Sequence, residues 1–76
     1  MNTTKVQNYA ARQSTSALLD SLDYFEPIAM DNVGNRTVFA IVAAEVTRRL
    51  GLDRDDVIAS KLGIASHLRF VHELRT

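Results

Sequence analysis

The chain contains no cysteine, one proline and three glycines among its 76 residues. Without cysteine it has neither disulfide bonds nor thiolate metal sites. No apolar run approaches the roughly 18 residues of a membrane-spanning helix, and residues 1–5 lack the apolar core of a signal peptide. Internal repeats and low-complexity segments are absent as well. We therefore expect a cytoplasmic protein that has no membrane partner.

An excess charge of either sign is also missing, because nine Lys and Arg balance nine Asp and Glu. This balance counts against a protein that binds its partner through bulk charge. The distribution is uneven. Residues 1–47 carry three basic and five acidic side chains, a net charge of minus two, whereas residues 48–76 carry six basic and four acidic ones, a net charge of plus two. The small basic excess therefore lies in the C-terminal part.

A chain of 76 residues that is 46% hydrophobic has enough apolar surface for one small core and too little for two. Stability is marginal at this size, and without disulfides a partner subunit is the expected supplement. Residues 1–13 are polar and predict a flexible N-terminal arm. Residues 14–76 predict a single helical domain.

The first predicted helix of that domain begins at a cap supplied by Ser14 or Thr15. Leu18 and Leu22 recur at helical spacing along it, and Pro27 ends it. This leucine stripe over 15–25 is the candidate surface for a homodimer. The alternative is that the stripe packs into the core of its own domain.

The central helix is predicted from the run Val38 to Ala44, which is apolar on every side. Asn35 or Thr37 caps its start and Gly51 ends it. A short third helix begins at Asp53, and a fourth runs from Gly63 to the end of the chain. The sequence thus predicts an all-α fold, a small bundle of about four helices.

The segment from Val57 to His67 has the pattern of two short helices joined at a glycine. Ala59 is small where two helices would cross, Leu62 faces inward, and Gly63 can adopt the left-handed conformation that redirects the chain. This order resembles the helix-turn-helix family, whose second helix lies in the major groove of DNA. The sequence departs from the family at Arg69, where an aliphatic residue is usual.

The resemblance implies a small DNA-binding regulatory protein that acts as a homodimer and reads DNA with its C-terminal helix. Side chains of that helix would contact base edges, and basic side chains before it would hold phosphates. The DNA-contacting residues implied are Ser66, His67, Arg69 and His72 on the helix, with Lys61, Arg48, Arg49 and Arg54 for the backbone.

The alternative function is that of an α-helical protein-protein interaction module, an adaptor or an inhibitor. One version of it would have a degenerate carrier-protein-like fold, because the segment from Val33 to Val38 resembles the loop of acyl and peptidyl carrier proteins that precedes their second helix. Thr37 stands where that family carries the serine modified by phosphopantetheine, and Arg36 replaces the preceding aspartate. An active carrier is therefore not expected.

Catalytic, cofactor and metal sites are not predicted. His67 and His72 are five residues apart, so on a helix they diverge by about 140° and do not share a metal ion. The acidic residues from Asp53 to Asp56 suit the first turn of a helix. The serines have no evident base partner, and we expect a protein that is not an enzyme.

Overall fold

The computed structural model describes residues 2–76, and this part of the chain folds entirely into helices and connecting turns. The all-α class predicted from the sequence is therefore confirmed. In chain order the helices are α1 (Thr3–Arg12), α2 (Thr15–Phe25), α3 (Val33–Arg49), α4 (Arg54–Ile58) and α5 (Ile64–Leu74), with a 3₁₀ turn at Glu26–Ile28.

Side-chain caps set where the helices begin. The Ser14 hydroxyl accepts from the amide of Ala17, and the Asp53 carboxylate caps α4, as the sequence predicts. Helix α3 starts earlier than expected, because Asn32 Oδ1 accepts from the amide of Asn35 at 2.8 Å. The central helix therefore has 17 residues and is about 25 Å long.

Helix α3 is the centre of the fold, with α1 and α2 packed along it and α5 closing against α2. The leucine stripe of α2 lies inside this core, where Leu18, Leu19 and Leu22 are at most 1% exposed. The surface suggested for a homodimer on α2 is thus occupied by the domain itself. Val46 of α3 and Leu68 of α5 complete the buried centre.

Within the segment 1–13, for which the sequence predicts a flexible arm, residues 3–12 form helix α1. Ala10 is buried against α3, and the Arg49 guanidinium donates to the carbonyls of Ala10 and Ala11, both at 3.1 Å. Packing of α1 along α3 through Ala10 and the cation of Arg49 at the helix C-terminus thus hold a segment whose own sequence is largely polar. Residues 2–76 therefore contain five α-helices, where the sequence predicts about four.

The longest described helix, α3, has 17 residues, and none of the helices in residues 2–76 has the length and apolar character needed to cross a bilayer.

Candidate functional site

The C-terminal pair consists of α4 and α5, joined by a turn that ends at Gly63. Gly63 has a φ of +84° and a ψ of 159°, an extended positive-φ conformation in place of the predicted left-handed one, and it precedes α5 without ending α4. Because Gly63 has no side chain to cap α5, the cap comes from the 3₁₀ turn. Glu26 Oε2 accepts from the amide of Ala65 at 2.9 Å. The N-terminus of α5 therefore already carries a carboxylate.

Two aspartates of α2 form ion pairs with Arg69 of α5. Arg69 Nη2 lies 2.6 Å from Asp23 Oδ2 and 3.1 Å from Asp20 Oδ1. Hydrogen bonding to Asp23 first, and then to Asp20, raises the pKa of Arg69. The arginine whose position departs from the helix-turn-helix pattern thus joins two helices of the fold.

The face of α5 next to Arg69 is exposed to solvent and carries two large apolar side chains beside polar ones. Phe70 is 53% exposed and Leu74 is 69% exposed. Ser66 and Glu73 are exposed on the same helix, so the outward residues recur at 66, 70, 73 and 74, one face of a helix. We call Ser66, Phe70, Glu73 and Leu74 the α5 stripe.

Glu45 holds both arginines at the end of α3. Its Oε2 atom lies 2.7 Å from Arg48 Nη2 and 2.7 Å from Arg49 Nε. These hydrogen bonds, with Arg48 first, lower the pKa of Glu45. Arg49 also donates to Thr15 Oγ1 at 3.2 Å, so this side chain ties α3 to the start of α2.

The other DNA-contacting residues implied by the helix-turn-helix resemblance form no ion pairs within residues 2–76. Ser66 and Lys61 are exposed near the Gly63 turn, and Arg54 is exposed at the start of α4. His67 and His72 are half-buried on α5. Within residues 2–76 neither histidine belongs to a group of three or more side chains that could hold a metal ion.

An open groove of about 420 Å³ lies between α3 and α4. Its wall on α3 is formed mainly by Phe39 and small residues, and Ile58 and Val57 form the α4 side. The complete lining is Phe39, Ala40, Ala43, Ala44, Thr47, Arg48, Leu52, Arg54, Val57, Ile58 and Ile64. We call this the α3–α4 groove.

The α3–α4 groove is an apolar surface whose lining includes two arginines. The Thr47 hydroxyl already donates to the carbonyl of Ala43 at 2.7 Å, so the floor offers no free hydroxyl proton. Arg48 and Arg54 line the groove, and its lining contains no carboxylate. Ile58 is 54% exposed there. Such a surface suits an apolar partner that carries negative charge.

Small residues form much of the α3 side of the groove. Ala40 and Ala44, four residues apart, are both exposed and line the α3–α4 groove. They also line a second cleft of about 410 Å³ on the side of α1. The backbone of α3 is therefore accessible at close range beside Ala40 and Ala44, which we call the alanine ridge.

The sequence did not predict this surface, although it indicated Arg48 and Arg54 as residues that would contact DNA phosphates. The available signal was that the run from Val38 to Ala44 is apolar all round. A helix of this kind needs neighbours on every side. In the structure α1, α2 and α5 cover only part of α3, and the face with Ala40 and Ala44 stays open.

Comparison of the chain with protein-family models, with curated proteins and with solved structures finds no match.

The two glycines with positive φ provide a matched stability test. Gly51 has a φ of +67° with open space around its Cα, whereas a Cβ on Gly63 would lie 3.3 Å from Glu26 Oε1. We expect Gly51→Ala to lower the free energy of unfolding by roughly 1 kcal/mol. Gly63→Ala should cost roughly 2–3 kcal/mol, because its extended positive-φ conformation is almost restricted to glycine and its new Cβ crowds the cap of α5. Urea denaturation measures both, and equal losses would contradict the role given to Glu26.

Proposed function

We propose that the protein is an α-helical interaction module whose α3–α4 groove binds an amphipathic helix that carries carboxylates beside its apolar residues. The observation that supports this most is the groove itself: an apolar lining that includes the exposed Ile58, with cations but no acidic side chain. Polypeptide helices commonly bind in such grooves through apolar residues spaced three and four apart.

The shape of the groove favours a helix as the occupant. Helix α3 supplies the wall from Phe39 to Arg48, about 14 Å along the helix axis, and the alanine ridge allows close approach. Side chains of a docked helix can then enter between α3 and Ile58. An aliphatic or aromatic row on the partner would bury apolar area on both sides, which is the main favourable contribution.

The charge of the groove favours acidic partners. Within residues 2–76 Arg54 has neither an ion pair nor a side-chain hydrogen bond, and it lies at the groove. Arg48 shares Glu45 with Arg49 and keeps 71% of its side chain exposed. Both guanidinium groups can therefore meet carboxylates at the edge of a docked helix, which adds specificity and speeds association.

A synthetic helical peptide tests this proposal. The peptide has leucines at positions 1, 4, 5 and 8 of its apolar face and glutamates flanking them. In an NMR titration we expect the amide shifts to cluster on the groove lining, because the leucines enter there. Ala44→Glu should weaken binding at least tenfold, about 1.4 kcal/mol, by blocking the alanine ridge and repelling the peptide.

The matched control is Ala11→Glu, an exposed alanine of α1 outside the groove lining. It adds the same charge and should leave the affinity unchanged. The Ala44 variant should remain folded, since its new carboxylate lies one turn before Arg48 and suits the helix. Equal affinity of both variants, or shifts that cluster away from the groove, would overturn the proposal.

DNA binding by the C-terminal pair is the second candidate function. It is favoured by one observation, the turn at Gly63 that leaves Lys61 and Ser66 exposed together with Arg54. These side chains, with His67 and His72 beside them, are the part of the implied DNA surface that is not committed to ion pairs within residues 2–76. Arg69 would have to leave Asp20 and Asp23 to reach a base.

A salt titration separates the two functions. If the pair binds duplex DNA, affinity measured by fluorescence anisotropy falls steeply as salt rises, because phosphate contacts release counterions. Replacing Arg54 and Lys61 together with alanine should then reduce the slope of log affinity against log salt by about two. The control replaces Lys5 and Arg12 of α1. Absence of binding at low salt, or the same loss in the control, would reject this second candidate.

A further inference from the structure

The α5 stripe is complementary to the α3–α4 groove, because it combines apolar side chains with a carboxylate. Phe70 and Leu74 are large apolar side chains that the domain leaves more than half exposed. Glu73 is exposed beside Phe70, on the edge of the stripe nearer Arg69, and within residues 2–76 it forms no ion pair. One helix of this chain therefore presents an apolar row with a carboxylate, and another part presents an apolar groove with cations.

A single molecule cannot bring these two surfaces together. Ile64, the first residue of α5, is itself part of the groove lining. The other side of α5 is fixed to the domain by the buried Leu68 and by the pair of Arg69 with Asp23. The stripe therefore faces away from the core while its own groove stays open.

We propose that the occupant of the α3–α4 groove is the α5 stripe of a second copy of this chain. Phe70 and Leu74 of one molecule pack against Ala40, Ala44 and Ile58 of the other, and Glu73 pairs with Arg54. Each molecule has both surfaces, so a twofold arrangement makes the same contact twice and closes the assembly. This inference rests on the proposed function, since it names the helix that the groove binds.

A charge exchange in the full chain tests the partner. By sedimentation equilibrium we expect the wild-type chain to form a reversible dimer. Arg54→Glu alone and Glu73→Arg alone should each weaken the dimer at least tenfold, because each places like charges opposite one another. The chain carrying both changes should regain most of the affinity. The control reversal, Lys61→Glu, lies outside the groove lining and should change the dimer affinity less than threefold.

Removal of the exposed Phe70 ring provides a second test of the dimer. Phe70→Ser should weaken the dimer at least tenfold, whereas Tyr9→Ser, which removes an aromatic ring of similar exposure from α1, should not. Circular dichroism checks that each variant is folded. Mixing the Phe70 variant with Ala44→Glu should form heterodimers in preference to either homodimer, because only the mixed pair keeps one intact contact.

The outcomes separate this inference from the proposed function. A chain that stays monomeric up to millimolar concentration, yet binds the acidic peptide in its groove, overturns the second-copy assignment and leaves the interaction module intact. A dimer that Phe70→Ser and the single charge reversals leave unchanged also overturns the assignment. Loss of both dimer and peptide binding in Ala44→Glu, with rescue of the single reversals in the double variant, supports it.

Discussion

Burial of Leu68 and Ala65 against the core determines which side of α5 meets solvent, and the same rotation is favoured by the ion pairs of Arg69 with Asp20 and Asp23. They lie beside Leu68, which is fully buried, so charge and apolar packing fix the same rotation of the helix. Glu26 adds a third constraint by capping the amide of Ala65. Once α5 is held in this orientation, its basic side is directed at α2 and Phe70 is left outside. The exposed side of α5 therefore carries Phe70 and Leu74, while Arg69 is paired with α2.

Helix α3 imposes the complementary constraint. It must contact α1, α2 and α5 at once, and a helix that is apolar all round satisfies this requirement. The described helices do not enclose it completely, because α4 has five residues and stays at one end. The face with Ala40 and Ala44 therefore remains open beside Ile58. A small domain has too little chain to cover its central helix, and the uncovered area is available for a partner.

Local chemistry made much of the fold predictable from the sequence. Ser14 and Asp53 cap helices, Pro27 follows the end of α2, and Gly63 takes a positive φ, since each effect depends on only a few neighbouring residues. Long-range contacts were not predictable. Helix α1 depends on Arg49, 38 and 39 positions away, and Arg69 is neutralised by residues 46 and 49 positions away. The groove depends on which face of α3 remains uncovered, and spacing along the chain does not encode that.

The orientation of α5 is the central claim, and a double-mutant cycle between Arg69 and Asp23 tests it most directly. Arg69→Gln, Asp23→Asn and the chain with both changes are compared with the wild type by urea denaturation. We predict a coupling free energy of roughly 0.2–1 kcal/mol, as for partly exposed ion pairs, decreasing at high salt. Strictly additive effects of the two changes at low salt would show that Arg69 is not held by α2 and would contradict the account.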